Sequence, residues 1–189
     1  MCSHETYMDC PYYEQLMYVG DTRTEVLTTY AITSDDRLPR KAVRIYDSSR
    51  IATLGLTQSR YPSRTTQFIP PFSLWWTAMV YDYALWRDDE VFVRNRMPGV
   101  RSVLDTFWNH LNSDGLLVPP EGLQFTDWVP GWRMGIPAAA DPEGMSALLN
   151  WHFVLVLALN AQLESWLGET LLAQRSLERA RTLMAKLDE

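Results

Sequence analysis

A chain of 189 residues is long enough for one domain, and a composition that is 47% hydrophobic supports a sizeable core. The formal net charge of −6 comes from scattered charges of both signs with no basic block, which argues against a nucleic-acid backbone as partner. Two cysteines, Cys2 and Cys10, are too few for a disulfide framework and lack zinc-site spacing, although a single bridge between them stays open.

The first element in chain order is the stretch from Asp9 to Asp21, DCPYYEQLMYVGD, in which three carboxylates (Asp9, Glu14, Asp21) sit among aromatic rings. Acids and rings together suit a carbohydrate, since rings stack on the apolar faces of sugars while carboxylates accept hydroxyl protons. Tyr12, Tyr13, Leu16 and Met17 beside Glu14 would favour a protonated carboxyl, the form a general acid needs. A plain alternative is that Glu14 begins a helix, where acids favour the positive dipole end.

Residues 22–33 read as a first helix and residues from Leu38 onward as a second. In the second, Leu38, Ala42, Ile45 and Tyr46 share one face, Asp35 and Asp36 offer caps, and Gly55 lies at or just past the end. A proline-marked loop, 59–71, leads to a helix over 72–86 that is apolar nearly all round and therefore buried on most sides. Trp75, Trp76 and Asp82 on it read as core. Asp88, Asp89 and Glu90 read as a break with capping acids rather than an acidic metal motif. A short turn over 90–96 precedes an amphipathic helix after Pro98, carried by Val100, Val103, Leu104, Phe107, Trp108 and Leu111.

Residues 116–141 are rich in Pro and Gly and have no helical period, and loops of that length are usually functional or disordered. Phe125, Trp128 and Trp132 argue against disorder, and Asp127 between them could pair a hydroxyl contact with an indole platform. Residues 144–167 form a second all-round apolar helix, with Asn150 and His152 as hydrogen-bonding core residues. The stretch is too broken by polar groups for a membrane span, and no secretion signal precedes it. A final amphipathic helix covers 169–186.

Three times, then, a largely apolar helix precedes an amphipathic one, and no strand alternation intervenes. This predicts an all-α chain of helical hairpins with inner helices wrapped by outer ones. Three such pairs cannot close a ring alone, so the chain is expected to be part of something larger.

The opening motif resembles the catalytic motif of the bacterial α-L-rhamnosidases, family 78 of the glycoside hydrolases. Their pattern runs Asp-Cys-Pro, Arg, the acid Glu, a Trp, then Gly-x-Asp; Asp9-Cys10-Pro11, Glu14 and Gly20 with Asp21 match it here. The resemblance implies an (α/α)6 toroid of six hairpins that hydrolyses terminal rhamnosides with inversion, of which residues 1–189 are expected to be one partial domain, about half of the toroid, with the rest of the parent barrel as its partner; no metal or other cofactor is expected. It implies Glu14 as general acid, Asp9 and Asp21 as sugar-hydroxyl partners, and Tyr18 as a ring lining the pocket. Two positions depart from the pattern: Tyr13 stands for Arg and Tyr18 for Trp, which leaves the identity of the sugar open. The family's general base has no counterpart after Leu167, where Glu169, Glu178, Asp188 and Glu189 belong to a solvated helix, so the base is expected beyond residue 189. The rival readings are a carbohydrate-binding or scaffolding domain without chemistry and a toroid glycosidase for another sugar. The compartment stays open between periplasm, exterior and cytoplasm for a chain that reads as soluble.

Overall fold

The computed structural model describes residues 3–137 and 146–188. The bridge considered for Cys2, the expected loop end at Asp141, the expected helix start at Gly144, and Glu189 lie outside them. Seven α-helices make up the described chain: α1 (Val19–Ile32), α2 (Arg37–Ser49), α3 (Pro70–Arg87), α4 (Glu90–Arg94), α5 (Met97–Trp108), α6 (Ala147–Trp166) and α7 (Thr170–Leu187). Among the described residues extended pairing is limited to isolated bridges.

Helix α3 is the centre. It packs against α1, α2, α4, α5 and α6, while α7 packs on α6. That gives an inner row, α1–α3–α6, backed by α2, α4 with α5, and α7. These are three hairpins in two layers, the inner-and-outer arrangement that the alternation of apolar and amphipathic helices predicts, and about half of the expected toroid. The reason lies in the surfaces. From Pro70 to Ala84 almost every α3 side chain is buried, whereas α2 buries only a stripe comprising Pro39, Ala42, Val43, Tyr46 and Ser49. A helix with no polar face must be covered on several sides; a helix with one apolar stripe covers and faces water. Fully buried Trp76 ties the layers by donating its indole N–H to the Val43 carbonyl at 3.1 Å.

Several boundaries differ from the sequence expectation for local reasons. Helix α1 starts at Val19 instead of residue 22, because the Val19 N–H bonds the Ser59 carbonyl (2.9 Å) and anchors the first turn. Gly20 thereby enters the helix, and its missing side chain matters: a Cβ there would stand 2.8 Å from the Phe72 ring. Helix α2 ends at Ser49, six residues before Gly55. The chain turns there, Ile51 N–H to Leu56 carbonyl at 3.1 Å, and Gly55 takes φ +68° against Thr106. Pro70 and Pro71, expected as loop punctuation, form the first turn of α3, where a missing N–H costs nothing. Asp89 caps α4 by accepting the Phe92 N–H at 2.9 Å, the capping role expected of that acidic run.

Polar groups link the hairpins. Glu164 of α6, fully buried, accepts from Arg101 of α5 (3.1 Å) and from Ser176 of α7 (2.7 Å), while Arg101 also reaches Glu169 at 2.6 Å. Asp36 at the start of α2 accepts from Tyr83 of α3 (2.6 Å) and Arg40 (3.0 Å), and Arg40 reaches on to Asp89. No described helix is long and apolar enough to cross a membrane. One face remains uncovered: Leu148, Trp151, Leu155 and Trp166 of α6 are all exposed.

Candidate active site

The site begins with the shape of the 9–16 loop. Asp9 closes it from both sides, its N–H donating to the Leu16 carbonyl and its Oδ1 accepting the Leu16 N–H, each at 2.9 Å. Inside this clasp the Cys10 Sγ accepts the Glu14 N–H at 3.2 Å, and the Gln15 side chain donates to the Pro11 carbonyl at 2.7 Å. Gln15 itself takes φ +53°, turning the chain back after Glu14. The loop thus holds itself, with Glu14 near its tip.

The second wall comes from the 59–61 segment, whose backbone runs alongside residues 17–19. Tyr18 and Arg60 form an antiparallel bridge, and the Tyr61 N–H donates to the Met17 carbonyl at 3.2 Å. The third wall is the lobe that Gly135 closes: its carbonyl accepts from Thr126 (2.9 Å) and Asp127 (3.3 Å), and its φ of +70° lets the chain pass Phe125. Phe125 stands edge-on to both Phe72 and Trp128, which seats this lobe on the start of α3.

Between these walls lies a cavity of about 750 Å³. Asp9, Glu14, Asp21 and Asp127 line it with Tyr18, Trp75, Trp128 and Arg60. A second cavity of about 660 Å³ opens beside it toward α6 and shares Trp75, Thr126 and Asp127. The first turns of α1 and α3 line the first cavity, and those of α3 and α6 the second, so the inner helices start at one mouth.

Of the residues singled out in the sequence, the structure brings Asp9, Glu14, Tyr18, Asp21, Asp127 and Trp128 to one cavity. Tyr13 points to solvent, 87% exposed, and Trp132 is partly buried outside the cavity lining. Glu14 is exposed as well, so the cover expected from Tyr12 and Tyr13 is absent: those rings stack edge to face on each other, outside. Trp75, read as core, lines both cavities. It carries the Arg23 guanidinium over its ring at 4.7 Å and lies 3.9 Å, centroid to centroid, from His152. Arg23 is fixed in turn by Asp82 at 2.8 Å, and burial pushes His152 down to about 3, so it stays neutral. Asn150 does what a core amide must, accepting the Leu117 N–H at 2.9 Å and donating to Ser146 at 3.0 Å.

The electrostatics follow from crowding. The Asp21 carboxyl sits above its ordinary range, first through desolvation in the cavity wall, then through the neighbouring charges of Asp9, Glu14 and Asp127. One turn further along α1, Glu25 is pushed up to about 7 by burial and by Asp21, against a Met8 N–H that stabilises its charge. Tyr18 is pushed up to about 12, first by burial and then by the neighbouring Glu14 carboxylate; Arg60 opposes this. Arg60 is the residue that sequence reasoning missed. Its only sequence signal was a cation inside a proline-marked loop.

Carboxylates, rings and a guanidinium thus surround one open cavity at the mouth of two-layered helical hairpins. Solved structures similar to the chain include three rhamnosidases. Against the family 78 rhamnosidase of Bacillus sp. GL1 the chain is 27% identical with a TM-score of 0.85, covering 98% of this chain and 18% of that one. Against a rhamnosidase from Klebsiella oxytoca with rhamnose bound the values are 18% and 0.77, covering 98% and 35%. Against the α-L-rhamnosidase from Dictyoglumus thermophilum they are 15% and 0.77, covering 100% and 20%. The chain therefore spans a fifth to a third of the length of these proteins. No family model matches it, and no curated protein does. The resemblance first carried by thirteen residues extends over the whole fold.

Proposed function

We propose that this chain carries the general-acid side of a bacterial glycoside hydrolase that removes terminal α-L-rhamnosyl groups with inversion. The observation that supports it is the gathering of Glu14, Asp9, Asp21 and Asp127 with Tyr18 and Trp128 on one cavity of a fold shared with rhamnosidases. Glu14 protonates the departing glycosidic oxygen. Asp21 and the second oxygen of Asp9 accept sugar hydroxyls, Asp127 takes another, and Trp128 offers its indole face. Tyr13 and Trp132 reach the substrate only outside the cavity, toward the leaving group.

An inverting reaction also needs a carboxylate about 6.5–9.5 Å from the acid, with a water before it. Asp9 is committed to its clasp, and Asp21, Asp127 and Glu14 are assigned above. The base is therefore proposed to come from outside residues 1–189.

A panel of aryl glycosides given to the full-length protein tests this reading. Hydrolysis of the α-L-rhamnoside, with the β-anomer of rhamnose appearing first by NMR, is the expected result. Glu14→Gln should lower the rate on poor leaving groups by about 100-fold or more, the scale of general-acid assistance, and spare activated ones. An unchanged rate on poor leaving groups removes Glu14 from the acid role. Binding of rhamnose without turnover of any glycoside would identify a sugar-binding domain instead.

A further inference from the structure

Among the described residues two cations line the first cavity, and they are not equivalent. Arg23 is spent: its Nε and Nη2 donate to the two carboxylate oxygens of Asp82, at 2.8 and 3.3 Å. Arg60 is held without being neutralised. Its main chain pairs with Tyr18, its guanidinium carbon lies 5.4 Å from the centre of the Tyr18 ring, and its Nη1 donates to the Tyr18 hydroxyl. Among the described residues no carboxylate comes within ion-pair distance of it, Nη2 has no hydrogen-bond partner, and Nε is buried with none. A guanidinium fixed in a cavity wall with donors left over suits an anion, since uncompensated charge is costly out of water and the planar fork matches a carboxylate. The acids of the cavity do not bar one. Asp9 and Asp127 each have an oxygen tied to a backbone N–H, of Leu16 at 2.9 Å and of Trp128 at 2.7 Å, and Asp21 is shifted toward its neutral form.

We propose that Arg60 is a specificity-determining residue that receives a carboxylate on the leaving group, so that the preferred substrate is a rhamnosyl group linked to a uronic acid residue. The inference rests on the acid role of Glu14 proposed above. That role puts the glycosidic oxygen beside Glu14, which itself enters the reaction protonated and uncharged. Tyr18, which holds Arg60, stands at the root of the loop that carries Glu14: its N–H donates to the Leu16 carbonyl at 3.1 Å, and Leu16 is the residue clasped by Asp9. Arg60 and Glu14 thus line one cavity from adjoining segments, and what Arg60 meets past the glycosidic oxygen is the sugar that departs. A carboxylate accepting from the free Nη2 neutralises the guanidinium and orders the leaving group, while the rhamnosyl ring stays with Asp21, Asp127 and Trp128. The Tyr18 hydroxyl and the backbone pairing keep the guanidinium in place before the substrate arrives, so little side-chain freedom is lost on binding.

The test gives the full-length protein an α-L-rhamnosyl glucuronate disaccharide, its methyl ester and the matching rhamnosyl glucoside. The acid should be cleaved with kcat/KM about 10–100-fold above either neutral substrate, the worth of one charge-assisted hydrogen bond, mostly through KM. Arg60→Gln should bring that ratio close to one, and Arg60→Lys, which keeps the charge without the planar fork, should retain part of it. A ratio near one in the unaltered protein, or the same ratio in Arg60→Gln, overturns the proposal. The first of these comparisons is free of any folding defect in a variant. A readout without turnover separates this inference from the rhamnosidase reading. Free glucuronate, titrated in and followed by NMR, should bind about 10-fold or more tightly than glucose, and Arg60→Gln should remove the difference. Glucuronate binding with no rhamnoside turned over leaves the Arg60 site standing and removes the rhamnosidase reading; rhamnoside turnover with no preference for the acid does the reverse.

Discussion

At the scale of single residues, the α1 carboxylates make a pH-dependent prediction. Glu25 keeps one oxygen, Oε2, buried with no hydrogen-bond partner among the described residues, and burial with Asp21 nearby lifts it from 4.5 to about 7. A carboxyl raised on folding favours the folded state most while it is protonated. Its contribution is fully present below pH 4.5 and is lost as pH rises through about 7. Glu25→Gln should therefore stabilise the protein at pH 8, by about 1 kcal/mol once partial solvent exposure is allowed for, and the gain should vanish by pH 4. Melting curves of both proteins across that range check the sign; a gain at pH 4 would contradict it. The residue scale also marks what sequence could not show. Glu14, Asp9 and Asp21 are legible because they stand within one short motif. Arg60 is not, because its approach to Tyr18 is made by backbone pairing between segments 42 residues apart.

At the scale of elements, helix character was legible where burial is one-sided or complete. The apolar wrap of α3 and the stripe of α2 follow directly from side-chain order. Helix ends were less legible, since the start of α1 depends on Ser59 and the stop of α2 on a turn that closes through Leu56. The hairpin of α6 and α7 offers a sharper test. Glu164 lies fully buried between Arg101 and Ser176, and its removal would leave the Arg101 Nε and the Ser176 hydroxyl without their acceptor, with Glu169 as the carboxylate still paired to Arg101. Breaking such a pair from one side costs about 3–5 kcal/mol, so Glu164→Ala should lower stability on that order in urea. Ser176→Ala, which removes only a neutral donor, should cost about 1 kcal/mol. Reversed magnitudes would show that the existing Arg101–Glu169 pair suffices and that Glu164 contributes little.

At the scale of the whole molecule, the uncovered face of α6 and the base proposed to lie outside residues 1–189 make one prediction. A polypeptide of residues 1–189 alone should show little or no hydrolysis of the rhamnosides proposed as substrates of the full-length protein. Turnover by the short chain at a rate near that of the full protein would place the water-activating carboxylate within these residues. The gross arrangement, hairpins in two layers, was readable because it needs only the order of apolar and half-apolar helices. The cavity was not, because its walls come from residues 9–24, 60–75 and 123–134, and only the folded inner row brings those three segments together.

That inner row has a further consequence. Because α1, α3 and α6 begin at the same mouth, the positive ends of their dipoles lie beside the two cavities together. Each helix start carries the equivalent of about half a positive charge. Three of them contribute a standing positive potential where four carboxylates collect in a chain of net charge −6. The backbone itself thus tempers the repulsion that would otherwise drive Asp9, Glu14, Asp21 and Asp127 apart.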